Sequence, residues 1–241
     1  MGFDAASRIS GFTHNNAAFD QSFGYDNLSR LTSWSGLSTS QSFGYDLTGN
    51  RTNLTIGASS YPYTAQATSN RVTRTAGPGG VKSFGFDAAG NTTSAGSLAF
   101  GYDARGRMLS ASTPLGPVSY QVNALAQRVA KTVAGVTTRY HFDANGNLIG
   151  ESGATNRDYA WLGTVPVAIL EGASAYFIHA DHLDTPRVVT TAANTTIWRW
   201  DGDPFGFLPA SEDPDGNGQP FTLNLRFPGQ YFDKETNLHY N

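Results

Sequence analysis

The residues best suited to chemistry lie in the last third of the chain. His179-x-Asp181-His182, with Asp184 and Arg187 close behind, sets two imidazoles beside two carboxylates. Such residues can ligate zinc or form a general acid–base pair. Further on, Asp213-Pro214-Asp215-Gly216-Asn217-Gly218 matches the opening of a calcium loop, in which oxygen ligands alternate around a sharp glycine turn. Each reading meets an obstacle. Along an extended strand from Ile178 to His182, His179 and Asp181 share one face while His182 points to the other. No third His or Glu follows at a ligand spacing. His179, Asp181, His182 and Arg187 are therefore expected to bond turn backbone and one another. In the acidic loop, Asn224 stands where a calcium loop closes with a bidentate Glu. Asp213, Asp215 and Asn217 thus offer calcium at most a weak site, and no other cofactor is expected.

Other catalytic patterns do not assemble. The chain has no Cys, which removes thiolate nucleophiles, disulfides and cysteine zinc sites together. Neither Gly-x-Ser-x-Gly nor His-Glu-x-x-His occurs. Gly77-Pro78-Gly79-Gly80 lacks the Lys-Ser/Thr that completes a phosphate-cradling loop. An enzyme is not expected. The net charge is −3, and Arg30, Arg51, Arg71 and Arg128 stand singly rather than in clusters, so nucleic acid is not an expected partner. No apolar run approaches the roughly 20 residues of a membrane-spanning helix, and the first residues carry no signal-peptide pattern.

The elements that would hold these residues are strands and tight turns. Only 15% of the 241 residues are charged, against a usual quarter, while Gly and aromatic residues abound. Glycine and Asn serve turns, and Tyr, Phe and Thr suit a pleated surface. A repeat runs through the first 150 residues. Phe23-Gly24-Tyr25-Asp26, Phe43-Gly44-Tyr45-Asp46, Phe84-Gly85-Phe86-Asp87, Phe100-Gly101-Tyr102-Asp103 and Tyr140-His141-Phe142-Asp143 are copies. Phe3-Asp4-Ala5-Ala6-Ser7-Arg8-Ile9 is a shortened one, and degenerate copies follow Tyr61-Pro62-Tyr63 and Tyr120-Gln121-Val122. Anchors recur roughly every twenty residues, as in stacked supersecondary units.

In aromatic-x-aromatic-Asp, the two rings share one strand face because side chains alternate with period two. The Asp then opens a type I turn, with its carboxylate accepting local N–H groups. Asp26, Asp46, Asp87, Asp103 and Asp143 are the expected openers. Gly49, Gly90, Gly106 and Gly146 are expected to take the positive φ that lets the chain return. Ile9, Leu31, Met108 and Leu148 restore an apolar side chain on the return strand. Each unit is a β-hairpin too small to bury its own rings, so it needs neighbours. From Tyr159 the sequence reads as longer, non-repeating stretches. The expected division is a hairpin array over 1–150 and a second segment over 151–241, parted by a loop at Gly153-Ala154-Thr155-Asn156.

The tandem hairpins resemble the YD repeats of Rhs proteins, a group that includes bacterial polymorphic toxins, wall-associated proteins and teneurins. The run Tyr176 to Arg187, then Ile197-Trp198-Arg199-Trp200 and Asp203-Pro204-Phe205-Gly206, resembles the Rhs signature block. Arg226-Phe227-Pro228-Gly229-Gln230-Tyr231-Phe232-Asp233 through Asn241 resembles the approach to the Rhs-associated core. Asp184 and Asn237 stand where the family often has Gly, and the sequence ends before the core Asp-Pro-x-Gly motif, so no residue here inherits that core's self-cleavage. The resemblance implies an all-β fold: hairpins in a curved, spiralling antiparallel sheet that is part of a shell. Its partners would be the remaining shell and a C-terminal effector or toxin domain. The protein would be secreted or displayed at the cell surface as part of a bacterial-type parent. Two alternatives stand beside this reading. One is a carbohydrate-binding or adhesion segment using exposed Trp34, Trp161, Trp198 and Trp200, against the expectation that these rings fill the sheet's apolar face. The other is a gene fragment without a role of its own.

Overall fold

Period-two alternation gives each strand an apolar and a polar side, as in Thr39–Tyr45, where Gln41 and Phe43 are buried while Ser40 and Ser42 face water. The computed structural model describes residues 1–153 and 156–241; Ala154 and Thr155 of the expected loop lie outside the described residues. The protein is all-β. Among the described residues the one helical element is the 3-10 turn Ala17–Phe19, capped by the Asn16 side chain. Among the described residues no helix is long and apolar enough to cross a membrane.

The chain forms two compact units, Met1–Asp87 with Ser94–Gly96 and Asp201–Leu208, and Ala88–Thr93 with Ser97–Trp200 and Pro209–Asn241. In the first, the strands from Gly2–Phe3 to Gly80–Phe86 form a meander, each antiparallel to the next. Its core is Trp34, Phe43 and Leu54, with Phe23, Tyr45, Tyr63 and Leu208 packed around them. Phe205 stacks edge-on against Phe43 at 4.8 Å.

The second unit continues the same pattern from Leu98–Tyr102 to Thr196–Arg199, again strand beside next strand. The hairpin array thus runs past residue 150: Leu148–Ser152 pairs with Arg157–Leu162, and the units do not part at 150/151. After Tyr159 the aromatic-x-aromatic-Asp spelling returns at Trp198-Arg199-Trp200-Asp201 but is missing from the hairpins before it, which nonetheless keep the alternation and the turn spacing that pairing needs. Its core runs from Tyr140 through Ile169, Val189 and Trp198 to Leu223 and Tyr231. A two-stranded ribbon, Tyr231–Asp233 with Leu238–Tyr240, closes the unit.

A register shift recurs where each strand enters its turn, at Gly24/Tyr25, Gly44/Tyr45, Gly101/Tyr102 and His141/Phe142. Such bulges strengthen the local twist and re-aim the following side chain. The central Gly of Phe-Gly-Tyr has a local cause: a Cβ on Gly24 would stand 2.4 Å from Ser33 Oγ across the pair.

Candidate functional site

The turn aspartates are the first repeated site. Asp26 Oδ1 accepts from the N–H groups of Leu28 and Arg30, both at 2.9 Å, and its Oδ2 accepts from Arg30 Nε at 2.7 Å. Asp4 holds Arg8 in the same way, and Asp103 holds Arg107. Where Asn replaces Arg, its amide takes over: Asn50 on Asp46 at 2.9 Å and Asn147 on Asp143 at 3.1 Å. The backbone N–H four residues on holds the Asp4, Asp26 and Asp103 carboxyls below the ordinary value, against an opposing desolvation. The Asn50 side chain brings Asp46 down to about 2. Asp87 follows the strand Gly80–Phe86, and Gly90 sits at φ 93°. Gly49, Gly106 and Gly146 are left-handed at φ 91°, 76° and 87°. Ser7, Ser29, Ala126 and Asp184 occupy the corresponding position, also left-handed, at φ 59–65°.

The arginines also link one repeat to the next. Arg8 Nη1 donates to Asp26 O and Arg30 Nη1 to Asp46 O, both at 2.9 Å, and Arg107 Nη1 reaches Asn123 O at 3.2 Å. Arg8 lies 4.7 Å over the Tyr25 ring and Arg30 4.9 Å over Tyr45. Those phenols return to the preceding hairpin, Tyr25 to Ile9 O and Tyr45 to Leu31 O. The turns opened by Asp4 and Asp26 are thereby fastened to the next by a charged hydrogen bond, a ring contact and a phenol. No pattern of spacing shows this, because it depends on which hairpin lies alongside.

The His179 block proves to be another such turn. Its strand ends at Ala180, so Asp181 opens the turn rather than sharing a strand face with His179. Asp181 Oδ1 accepts from Leu183 and Thr185 N–H, and Oδ2 from Arg187 Nε at 2.8 Å. Arg187 lies 5.0 Å over Trp200. His179 Nε2 meets Thr190 Oγ1 at 3.1 Å, and His182 is exposed on the turn. Asp181 and Arg187 are brought together; the two imidazoles are not brought to a shared ligand set. In the acidic loop, Asp213 uses one carboxylate oxygen on Asn217 N–H and the other on Gly218 N–H, while Asp215 takes the Asn217 amide. Trp34, Trp198 and Trp200 are buried, and Trp161 is half-buried with its indole N–H on Leu148 O at 2.8 Å.

A buried charge cluster in the second unit went unread in the sequence. Arg128 occupies the return-strand position that holds Leu31, Met108 or Leu148 in other repeats. It is 4% exposed and ringed by Tyr120, Tyr140, Tyr231 and Tyr240 at 4.4–5.3 Å. Its Nη1 pairs with Asp233, itself 3% exposed, and its Nε and Nη2 face no hydrogen-bond acceptor. Lys131 Nζ lies 3.0 Å from both Asp233 and Glu235. Burial is the largest influence and pulls both cations down, yet Asp233, Tyr140 and the other neighbours together outweigh it and hold both above their ordinary values. Two cations and two carboxylates therefore cancel in an aromatic cage, clasping the C-terminal ribbon to the strand Arg128–Val133. Nearby, Glu151 accepts from Tyr159 and Tyr231. Arg226 stacks on Trp198, Trp200 and Phe232 and donates to Leu223 O and Leu225 O; burial lowers it to about 10. The readable signal was a basic residue at an inward position.

The family model described as teneurin YD-shell matches residues 1–240. Among solved structures, the chain resembles the Photorhabdus luminescens Tc holotoxin pore with a mutated TccC3, with a TM-score of 0.71 at 13% identity over 99% of this chain and 14% of that one. It also resembles the complex TcdB2-TccC3-Cdc42, with a TM-score of 0.65 at 14% identity over 92% of this chain and 13% of that one. At such identity the likeness is one of fold. The chain spans only 13–14% of the length of these structures.

Proposed function

Because this chain belongs to the teneurin YD-shell family, we propose that it is a length of shell wall enclosing an effector or toxin domain carried by the same parent protein. The observation that carries this reading is the hairpin-to-hairpin fastening. Every described turn aspartate with an Arg or Asn partner is tied locally, and Arg8, Arg30 and Arg107 reach onward to the next turn. Such a device makes sheet that can be extended indefinitely, since each repeat supplies the groove its successor fills. The charged side chains described above are spent on one another and on backbone, which suits a structural role rather than turnover. Export of the parent protein follows from the same reading, because an enclosed effector must reach its target outside the producing cell. A sugar-binding role finds less support, since three of the four Trp rings are buried.

Limited proteolysis of the full-length parent tests the proposal. The enclosed domain should resist protease while the shell is intact and become sensitive once the shell is unfolded. Cleavage of that domain at the rate of its free form would refute enclosure.

A further inference from the structure

Aromatic rings at the turn ends of the strands are covered by guanidinium groups from the preceding repeat. Arg8 covers Tyr25 at 4.7 Å, Arg30 covers Tyr45 at 4.9 Å, and Arg187 covers Trp200 at 5.0 Å. Where the residue four after the turn aspartate is Asn50 instead of Arg, the next residue supplies the cation: Arg51 lies 4.5 Å over Tyr63. The repeat opened by Asp143 breaks the pattern. Asn147 is followed by Leu148, and Trp161 on the next strand is half-buried, with no cation over it among the described residues. The Asn147 amide fills the two polar stations an arginine would take, Asp143 Oδ2 at 3.1 Å and Gly163 O at 3.2 Å, but it is too short to reach across the ring. A cavity of about 80 Å³ opens at this place, bordered by Gly146, Asn147, Trp161 and Thr164 and by Phe142 and Pro228.

We propose that the Trp161 pocket binds a guanidinium side chain presented by a partner polypeptide, filling from outside the slot that the chain fills for itself in other repeats. A flat cation on an indole face is the strongest arrangement of its kind. Arg128 also borders the pocket, but Asp233 pairs with it, and the neighbouring charges of Lys131 and Glu235 also cancel, so the cluster does not repel a second cation at first order. The inference stands on this pocket alone and does not require the enclosing role.

The test uses the whole chain, ¹⁵N-labelled, titrated with N-acetyl-arginine amide and with its neutral isostere N-acetyl-citrulline amide. The indole N–H resonance of Trp161 is identified by its loss in Trp161→Phe. Saturable movement of that resonance is expected, with arginine tighter than citrulline by about threefold to thirtyfold, the range of a cation–ring contact. Asn147→Arg places the missing guanidinium in the slot and should abolish the response while the other three indole signals keep their positions. Equal binding of the two probes, no saturable movement, or undiminished binding in a folded Asn147→Arg protein would each overturn the proposal. If Asn147→Arg does not fold, the arginine-to-citrulline ratio on the unaltered chain decides alone.

Discussion

Replacing Asp233 with Asn keeps the shape of the side chain and removes its charge, which isolates the worth of the buried clasp. The carboxylate pairs with Arg128 and Lys131, and all three groups are at most 7% exposed. Lys131 keeps Glu235 at 3.0 Å, so Arg128 is the group left without an opposing charge. Removing one partner of a buried pair costs about 3–5 kcal/mol. The four tyrosine rings around Arg128 retain part of its stabilisation, which places the expected loss near the lower end, at about 3 kcal/mol. With a urea dependence of roughly 3 kcal/mol per molar for a chain of this size, the unfolding midpoint should fall by about 1 M. Because the chain has two compact units, the melt is best read beside hydrogen exchange of the ribbon amides at Tyr231–Asp233 and Leu238–Tyr240, which should exchange faster in the variant. Adding Arg128→Met to Asp233→Leu replaces charge by apolar volume and should recover most of the loss. A loss below about 1 kcal/mol, with ribbon exchange unchanged, would show that the cluster does not fasten the ribbon.

Three further outcomes follow from the turns. Gly49→Val should destabilise by about 1–2 kcal/mol, the cost of left-handed backbone for a residue with Cβ, and by more than Ser29→Val, since Ser29 already bears part of that cost at φ 61°; equilibrium unfolding compares them, and equal losses would contradict the turn geometry. The turn carboxyls are depressed in the folded state, Asp46 to about 2 from 3.8. Their contribution is therefore complete above the unfolded value near 4 and is lost as pH falls towards 2, so thermal stability should drop across that window and less so in Asp46→Asn. Isothermal titration should show at most weak calcium binding, abolished in Asp213→Asn with Asp215→Asn, because both Asp213 oxygens already accept backbone N–H groups; tight binding would refute this.

Local chemistry determined the hairpin. Aromatic-x-aromatic-Asp followed by Gly three residues on carries its own strand face, turn opener and left-handed return, all within a dozen residues, so Asp46, Gly49, Asp143 and Gly146 could be placed before any neighbour was known. The same locality misled where the spelling changed. A strand running through His182 would have alternated Asp181 and His182, but the strand ends at Ala180, after a register shift, and Asp181 opens the turn. Which side chain covers which ring was decided only by tertiary structure. Arg30 meets Asp46 O sixteen residues on, and Arg128 meets Asp233 more than a hundred residues on, through hydrogen bonds whose partners are set by sheet pairing and by the returning C-terminal ribbon. An inward arginine in sequence is an unpaired cation among apolar positions. Only the folded chain supplies the carboxylate and four rings that make its burial affordable, because electrostatic compensation acts over a few ångströms of space and is blind to separation along the chain.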